Sequence, residues 1–228
     1  MGHPLALPRL LQLASPALPV GAYTYSQGLE WAVESGDVRD EASAGRWISD
    51  LLAHAIGRFE APLLGRLIEA WSVADNTEVF RLNTEFLASR ESAELRAETL
   101  QMGYSLKRLL ADLRDISLAP VHAVLEPLPE CAFPTVWAGI AHGWRIPVAD
   151  ALTAYLWSWA ENQVMAALKA VPLGEAAGQR LLAELGARIP AIAETALTLP
   201  EAQWSNLAPA FAIASARHET QYSRLFRS

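Results

Sequence analysis

PVADALTAYLWSWAENQVMAALKAVP, residues Pro147 to Pro172, is the stretch that decides the fold. Between its two prolines, Val148, Leu152, Tyr155, Leu156, Trp159, Val164, Leu168 and Val171 recur at helical spacing. The segment is apolar nearly all round, as expected of a helix enclosed by others rather than lying on a surface. Asp150, Glu161 and Lys169 interrupt it too often for a membrane span. The segment therefore predicts a central apolar helix with the rest of the chain packed around it.

The same period extends in both directions. Trp47, Ile48, Leu51, Leu52, Ala55 and Ile56 mark one helix. Leu63, Leu64, Leu67, Ile68 and Trp71 mark another, with Pro62 suited to a first turn. Leu95, Leu106, Leu109, Leu110 and Leu113 predict a long helix, in which Gly103 either permits close packing or weakens the helix. The four prolines between Pro120 and Pro134 read as a loop or short irregular pieces. Pro134 then opens a helix carrying Val136, Trp137, Ile140, Ala141 and Trp144. Leu181, Leu182, Leu185 and Ile189 mark one more, and Pro209 opens the last. No alternating strand pattern, linker or repeat divides the chain. The reading is an all-α, single-domain helical bundle over residues 1–228, with 1–20 and 217–228 as flexible terminal segments.

Composition narrows the function. A chain of 228 residues with 52% hydrophobic content can build a substantial core, and its net charge of -7 disfavours nucleic-acid binding. Cys131 is the single cysteine, so no intramolecular disulfide forms and a cytoplasmic location is expected. The start, Met1-Gly2 with Ala6, lacks the hydroxyl residue that myristoylation wants, and no segment suits a membrane anchor. The chain carries no phosphate-binding glycine loop, dinucleotide turn or nucleophile elbow. His3, His54, His122, His142 and His218 are scattered, and His218-Glu219-Thr220-Gln221-Tyr222 ends in Tyr where a zincin needs a second imidazole. The expectation is a non-enzyme without cofactor or metal site that works through surfaces.

Two segments stand out as surfaces. Ser15-Pro16-Ala17-Leu18-Pro19-Val20-Gly21-Ala22-Tyr23-Thr24-Tyr25-Ser26-Gln27-Gly28-Leu29-Glu30 combines prolines, glycines and tyrosines with Thr24-Tyr25-Ser26-Gln27, which has the form of a capping box. On the helix that follows, Gln27, Glu30, Glu34 and Asp37 share a face. That stripe reads either as a solvated face or as a docking surface for a basic partner. The second segment is Ala216-Arg217-His218-Glu219-Thr220-Gln221-Tyr222-Ser223-Arg224-Leu225-Phe226-Arg227-Ser228. Arg217, Arg224 and Arg227 against Glu219 make a basic end on an acidic chain. Tyr222, Leu225 and Phe226 beside them give the composition of an interface hot spot, or of a last helix packing on its own domain. A third segment, Arg90-Glu91-Ser92-Ala93-Glu94-Leu95-Arg96, suits ordinary intrahelical ion pairs such as Arg90 with Glu94. Pro172-Leu173-Gly174-Glu175 reads as a helix-ending turn.

The first two segments, in this order, closely resemble the ends of the urease accessory protein UreF family, and the third resembles an internal motif of it. The likeness covers most of the chain, although family members often carry Gln where Glu175 stands. The resemblance implies a non-catalytic, dimeric maturation factor. It joins the GTPase UreG to the scaffold UreD/UreH for GTP-dependent nickel delivery to apo-urease. It further implies that Arg217, His218, Glu219, Tyr222, Arg224, Leu225, Phe226 and Arg227 meet UreD/UreH, and that Tyr23, Gln27, Glu30 and Glu34 face UreG. Two alternatives stay open: a GTPase-activating protein using Arg90, Arg96 or Arg224, and a nickel-binding chaperone.

Overall fold

A computed structural model describes residues 4–228; Met1 to His3, including the Met1-Gly2 start weighed above, lie outside the described residues. Apart from short 3-10 turns, the elements are α1 (Ala6–Leu13), α2 (Leu29–Glu34), α3 (Glu41–Leu51), a π-helical stretch (Leu52–Glu60), α4 (Ala61–Ser72), α5 (Asn76–Ala88), α6 (Ala93–Asp112), α7 (Ala119–Leu125), α8 (Phe133–Gly143), α9 (Val148–Ala170), α10 (Glu175–Thr198) and α11 (Pro209–His218). No strand occurs among the described residues, and the chain is an all-α domain. None of these helices is long and apolar enough to cross a membrane.

The central helix is α9, as its sequence predicts. It packs against α10, α2, α3, α4, α8 and α1, and Leu152, Leu156, Ala160, Val164 and Ala167 are completely buried. It shares the centre with α8, where Pro134 to Ala141 form an unbroken run of buried residues. Small residues make this density possible. On α6, a Cβ at Gly103 would lie 2.0 Å from the Cys131 carbonyl oxygen, so the glycine admits the backbone that leads into α8. Cys131 itself is a buried core residue.

The structure corrects two readings and adds a helix. The two helices expected on either side of Pro62 are one continuous rod, α3 through α4, with helical backbone at Leu51, Leu52, Glu60 and Ala61. Within its middle stretch the bonds lengthen to i−5, as from the Ala61 N–H to the Ile56 carbonyl. Pro62 has no N–H to give, and the Arg58 carbonyl four residues earlier instead accepts from Ser205 at 3.1 Å. The proline-rich Pro120 to Pro134 segment is not all loop, because Pro120 sits in the first turn of α7. Finally, α5 has no expected counterpart, although its buried Val79, Leu82, Phe86 and Leu87 recur at helical spacing; Asp75 caps it by accepting from the Glu78 N–H at 3.0 Å.

Candidate functional site

The two singled-out ends of the chain meet. Beyond α11 the tail folds back across α6 and finishes on the turn that precedes α2. The turn itself departs from the capping-box expectation. Thr24 closes a 3-10 turn, its Oγ1 donating to the Gly21 carbonyl at 2.8 Å. Helix α2 starts after Gly28, and Ser26 Oγ accepts the Glu30 N–H at 3.3 Å. Gln27 and Gly28 both adopt left-handed backbone, with φ of 53° and 79°. For Gln27 that conformation is costly and for Gly28 it is free. A Cβ at Gly28 would also lie 2.9 Å from the Ser215 amide nitrogen, so no other residue lets α11 approach this closely.

The twisted turn aims consecutive amides at the tail. The N–H groups of Ser26 and Gln27 donate to the Ser228 carbonyl at 2.7 and 3.1 Å, and Ser26 Oγ donates to the same oxygen at 2.5 Å. The Arg227 N–H donates to the Thr24 carbonyl at 2.7 Å. Glu30 anchors the stretch between: its carboxylate accepts the N–H groups of Leu225 at 2.6 Å and Phe226 at 3.0 Å. Phe226 is buried beneath, with the Lys169 ammonium 5.6 Å from its ring centre.

A second set of contacts fixes the start of the tail to α6. Ser92 caps that helix by accepting the Leu95 N–H at 3.1 Å, and its Oγ lies 2.6 Å from Ser215 Oγ. Glu219 accepts the Ala93 N–H at 2.7 Å, placing a carboxylate at the positive end of the helix. Arg224 donates to Glu94 at 2.6 Å. His218, wholly buried, lies between two carboxylates, with Nδ1 2.7 Å from Glu94 and Nε2 3.2 Å from Glu30.

Behind the turn lies a largely apolar cavity of about 100 Å³ whose wall also carries Gln27, Glu60, Arg90, Glu98, Tyr155 and Trp159. Trp159 donates to Gln27 Oε1 at 2.8 Å, and Gln27 Nε2 donates to Glu98 at 2.7 Å. Ser228 Oγ reaches the other Glu98 oxygen at 2.9 Å. Arg90 and Tyr155 both donate to Glu60, at 2.7 and 3.1 Å. Burial pushes the Glu98 carboxyl up to about 7, with the Glu60 charge adding to the effect. Burial, then Glu60, likewise drives the Tyr155 phenol well above its ordinary range. Burial and the Glu161 carboxylate raise Tyr23 to about 12.

The four residues expected to face UreG, Tyr23, Gln27, Glu30 and Glu34, separate. Glu34 is exposed at the end of α2, and Tyr23 and Gln27 are half-buried. Glu30 is buried and occupied with the tail, so it belongs to the internal scaffold rather than to a solvated stripe. The tail residues divide as well. His218 and Phe226 point inward, while Arg217, Glu219, Tyr222, Arg224, Leu225 and Arg227 are on the surface. The expected pairing within Arg90 to Arg96 does not form. Arg90 turns inward to Glu60, Arg96 pairs with Glu130 at 2.7 Å, and Glu94 serves His218 and Arg224. Arg90 is thereby removed from the surface, with only 9% of its side chain exposed.

Sequence reasoning missed Glu98, Ser92, Ser215 and Trp159 as members of this junction. A signal for Glu98 exists in retrospect: it falls on the same α6 face as the buried Leu95, Met102 and Leu106.

A family model described as UreF matches residues 38–186. Among similar proteins is the urease accessory protein UreF of Dechloromonas aromatica (strain RCB), 71% identical over 98% of both chains. The protein of the same name from Azoarcus sp. (strain BH72) is 66% identical over all of this chain and 97% of its own length. The bifunctional urease accessory protein UreEF of Bordetella bronchiseptica is 48% identical over 97% of this chain and 52% of its own length. The Azoarcus alignment takes in both ends of the chain, and hence both halves of the junction, which the family model leaves out. On these matches, together with the all-α fold, the chain belongs to the UreF family of urease accessory proteins.

Proposed function

We propose that this protein is a non-catalytic, cytoplasmic adaptor in urease maturation, joining the GTPase UreG to the scaffold UreD/UreH for GTP-dependent nickel delivery to apo-urease. It acts as a homodimer in this reading. Family membership supports the general role, and one observation carries the assignment of a surface. The tail is bonded to the body through its backbone and buried groups, yet it turns Tyr222 and Leu225 outward, Leu225 with 72% of its surface exposed. Exposed aromatic and aliphatic side chains on a braced backbone lose little entropy when a partner covers them. This outer face of the tail, with Arg217, Arg224 and Arg227 around it, is the contact for UreD/UreH. Glu34 and Tyr23, near the same turn, belong to the UreG contact.

Light-scattering chromatography with UreD/UreH tests the assignment, comparing the unaltered chain with a Tyr222→Ala, Leu225→Asp variant. Both substitutions replace exposed side chains and leave the backbone bonds to Glu30 in place. Loss of the complex by a variant with unchanged helical content supports the tail contact. An undiminished complex moves the contact to another face.

A further inference from the structure

Glu98 holds the two ends of the chain together from inside. Its oxygens meet Gln27 Nε2 at 2.7 Å and Ser228 Oγ at 2.9 Å, so one side chain bridges the turn and the last residue of the tail. The charge set around it is unbalanced. Arg90, from the turn between α5 and α6, is committed to Glu60 at 2.7 Å. Glu60 approaches from the π-helical stretch, Tyr155 from α9 and Tyr25 from the turn before α2, and none of these is a cation. A neutral Glu98 suits two buried carboxyl groups facing one guanidinium better than an anion does.

Both of its bonds survive protonation. Gln27 still donates to one oxygen, and the protonated oxygen donates to Ser228 Oγ, which accepts as readily as it donates. Lifting the tail removes Ser228 and admits water to the carboxyl, and water favours the anion.

We infer that Glu98 is a proton-operated latch: the tail closes on the Ser26–Glu30 turn with a proton held at Glu98, and opens as that proton is lost. The device lies within one chain and needs no partner, so it stands apart from the adaptor reading. In the closed state burial, and after it Glu60, raise the carboxyl to about 7; in the open state it returns toward its ordinary 4.5. A group raised in one state stabilises that state fully below the lower value and ceases to do so as pH climbs through the higher one. Closure is therefore firmest in acid and loosens through neutral pH. Complete release of the shift would change the closing equilibrium by about two orders of magnitude, an upper bound because Gln27 and Trp159 continue to shelter the carboxyl.

Amide hydrogen exchange of the full chain, from about pH 5.5 to about pH 8.5 and corrected for intrinsic rates, reads the latch directly. The reporting amides are Ser26, Gln27, Leu225, Phe226 and Arg227. Their protection is expected to fall about tenfold or more across this range, and to stay level in Glu98→Gln, which keeps the shape and the acceptor but cannot titrate. Level protection in the unaltered chain overturns the proposal. So does a fall that Glu98→Gln leaves unchanged, which would assign the effect to the other ionisable groups clasped in the junction, Glu30, Glu94 and His218. If Glu98→Gln does not fold, the carboxyl carbon of Glu98 in the unaltered chain decides by NMR. A midpoint near neutrality supports the latch, and one in the ordinary carboxylate range contradicts it.

Discussion

The centre of the bundle and the junction of its two ends are both buried, but by opposite means. Around α8 and α9, the buried alanines, glycines and leucines are positioned by shape, and Tyr155, Trp159 and Asn162 on one side of α9 turn hydrogen bonds toward the junction. At the junction, the buried groups include Glu30, Glu98, His218, Ser26 and Ser215, and position is set by directed hydrogen bonds. A shape-fixed core responds to volume and is insensitive to pH. A bond-fixed junction tolerates little loss of a partner, because each orphaned buried group carries its full desolvation cost. The difference predicts that the tail opens from the body without the body unfolding.

Substitutions that act on one region and spare the other sharpen this contrast. The largest effect is expected from Gly103→Val, which drives a branched side chain into the Cys131 carbonyl 2.0 Å from the new Cβ. Denaturant unfolding should show a loss of about 5 kcal/mol or more, or no folded protein at all. Arg90→Met, at the edge of the cavity, leaves Glu60 buried without its cation. The expected loss is about 3–5 kcal/mol in the same measurement.

Glu30→Ala removes the acceptor for the Leu225 and Phe226 amides and one partner of His218. It should weaken closure of the tail by about 2–3 kcal/mol. Trypsin cleavage after Arg224 and Arg227 should then accelerate while the helical signal is kept. Loss of helix in parallel with cleavage would erase the distinction between the regions. Glu34→Lys is expected to do least: its side chain is exposed, and the unfolding midpoint should not move measurably. Any weakening of UreG capture by Glu34→Lys therefore reports the surface, whereas the same reversal at Glu30 would report damage inside.

How far the sequence reveals each region follows from the same contrast. Periodicity located α9, α8 and α10 because burial by shape writes itself as spacing along one helix. It joined α3 and α4 less well, since a proline ordinarily opens a helix and the donor that replaces its missing N–H comes from Ser205, far along the chain. At the junction, local composition marked both ends as unusual but misread their parts. Glu30 looked like one of several acidic residues on a wet face, and its true partners lie 188 to 196 residues away. Arg90 and Glu94 stood at a spacing that suits a helix pair, yet Ser92 starts the helix between them and each turns to a remote partner. Spacing reports neighbours within an element, and these bonds run between elements.

The central claim is that the tail is a separately opening unit on an independently stable bundle. Native-state hydrogen exchange at increasing, sub-denaturing concentrations of denaturant tests it most directly. The account predicts that the amides of Leu225, Phe226 and Arg227 exchange through a local opening of lower free energy and little denaturant dependence, while amides of α8 and α9 exchange only with global unfolding. A single opening energy, with the same denaturant slope for tail and core, would contradict it.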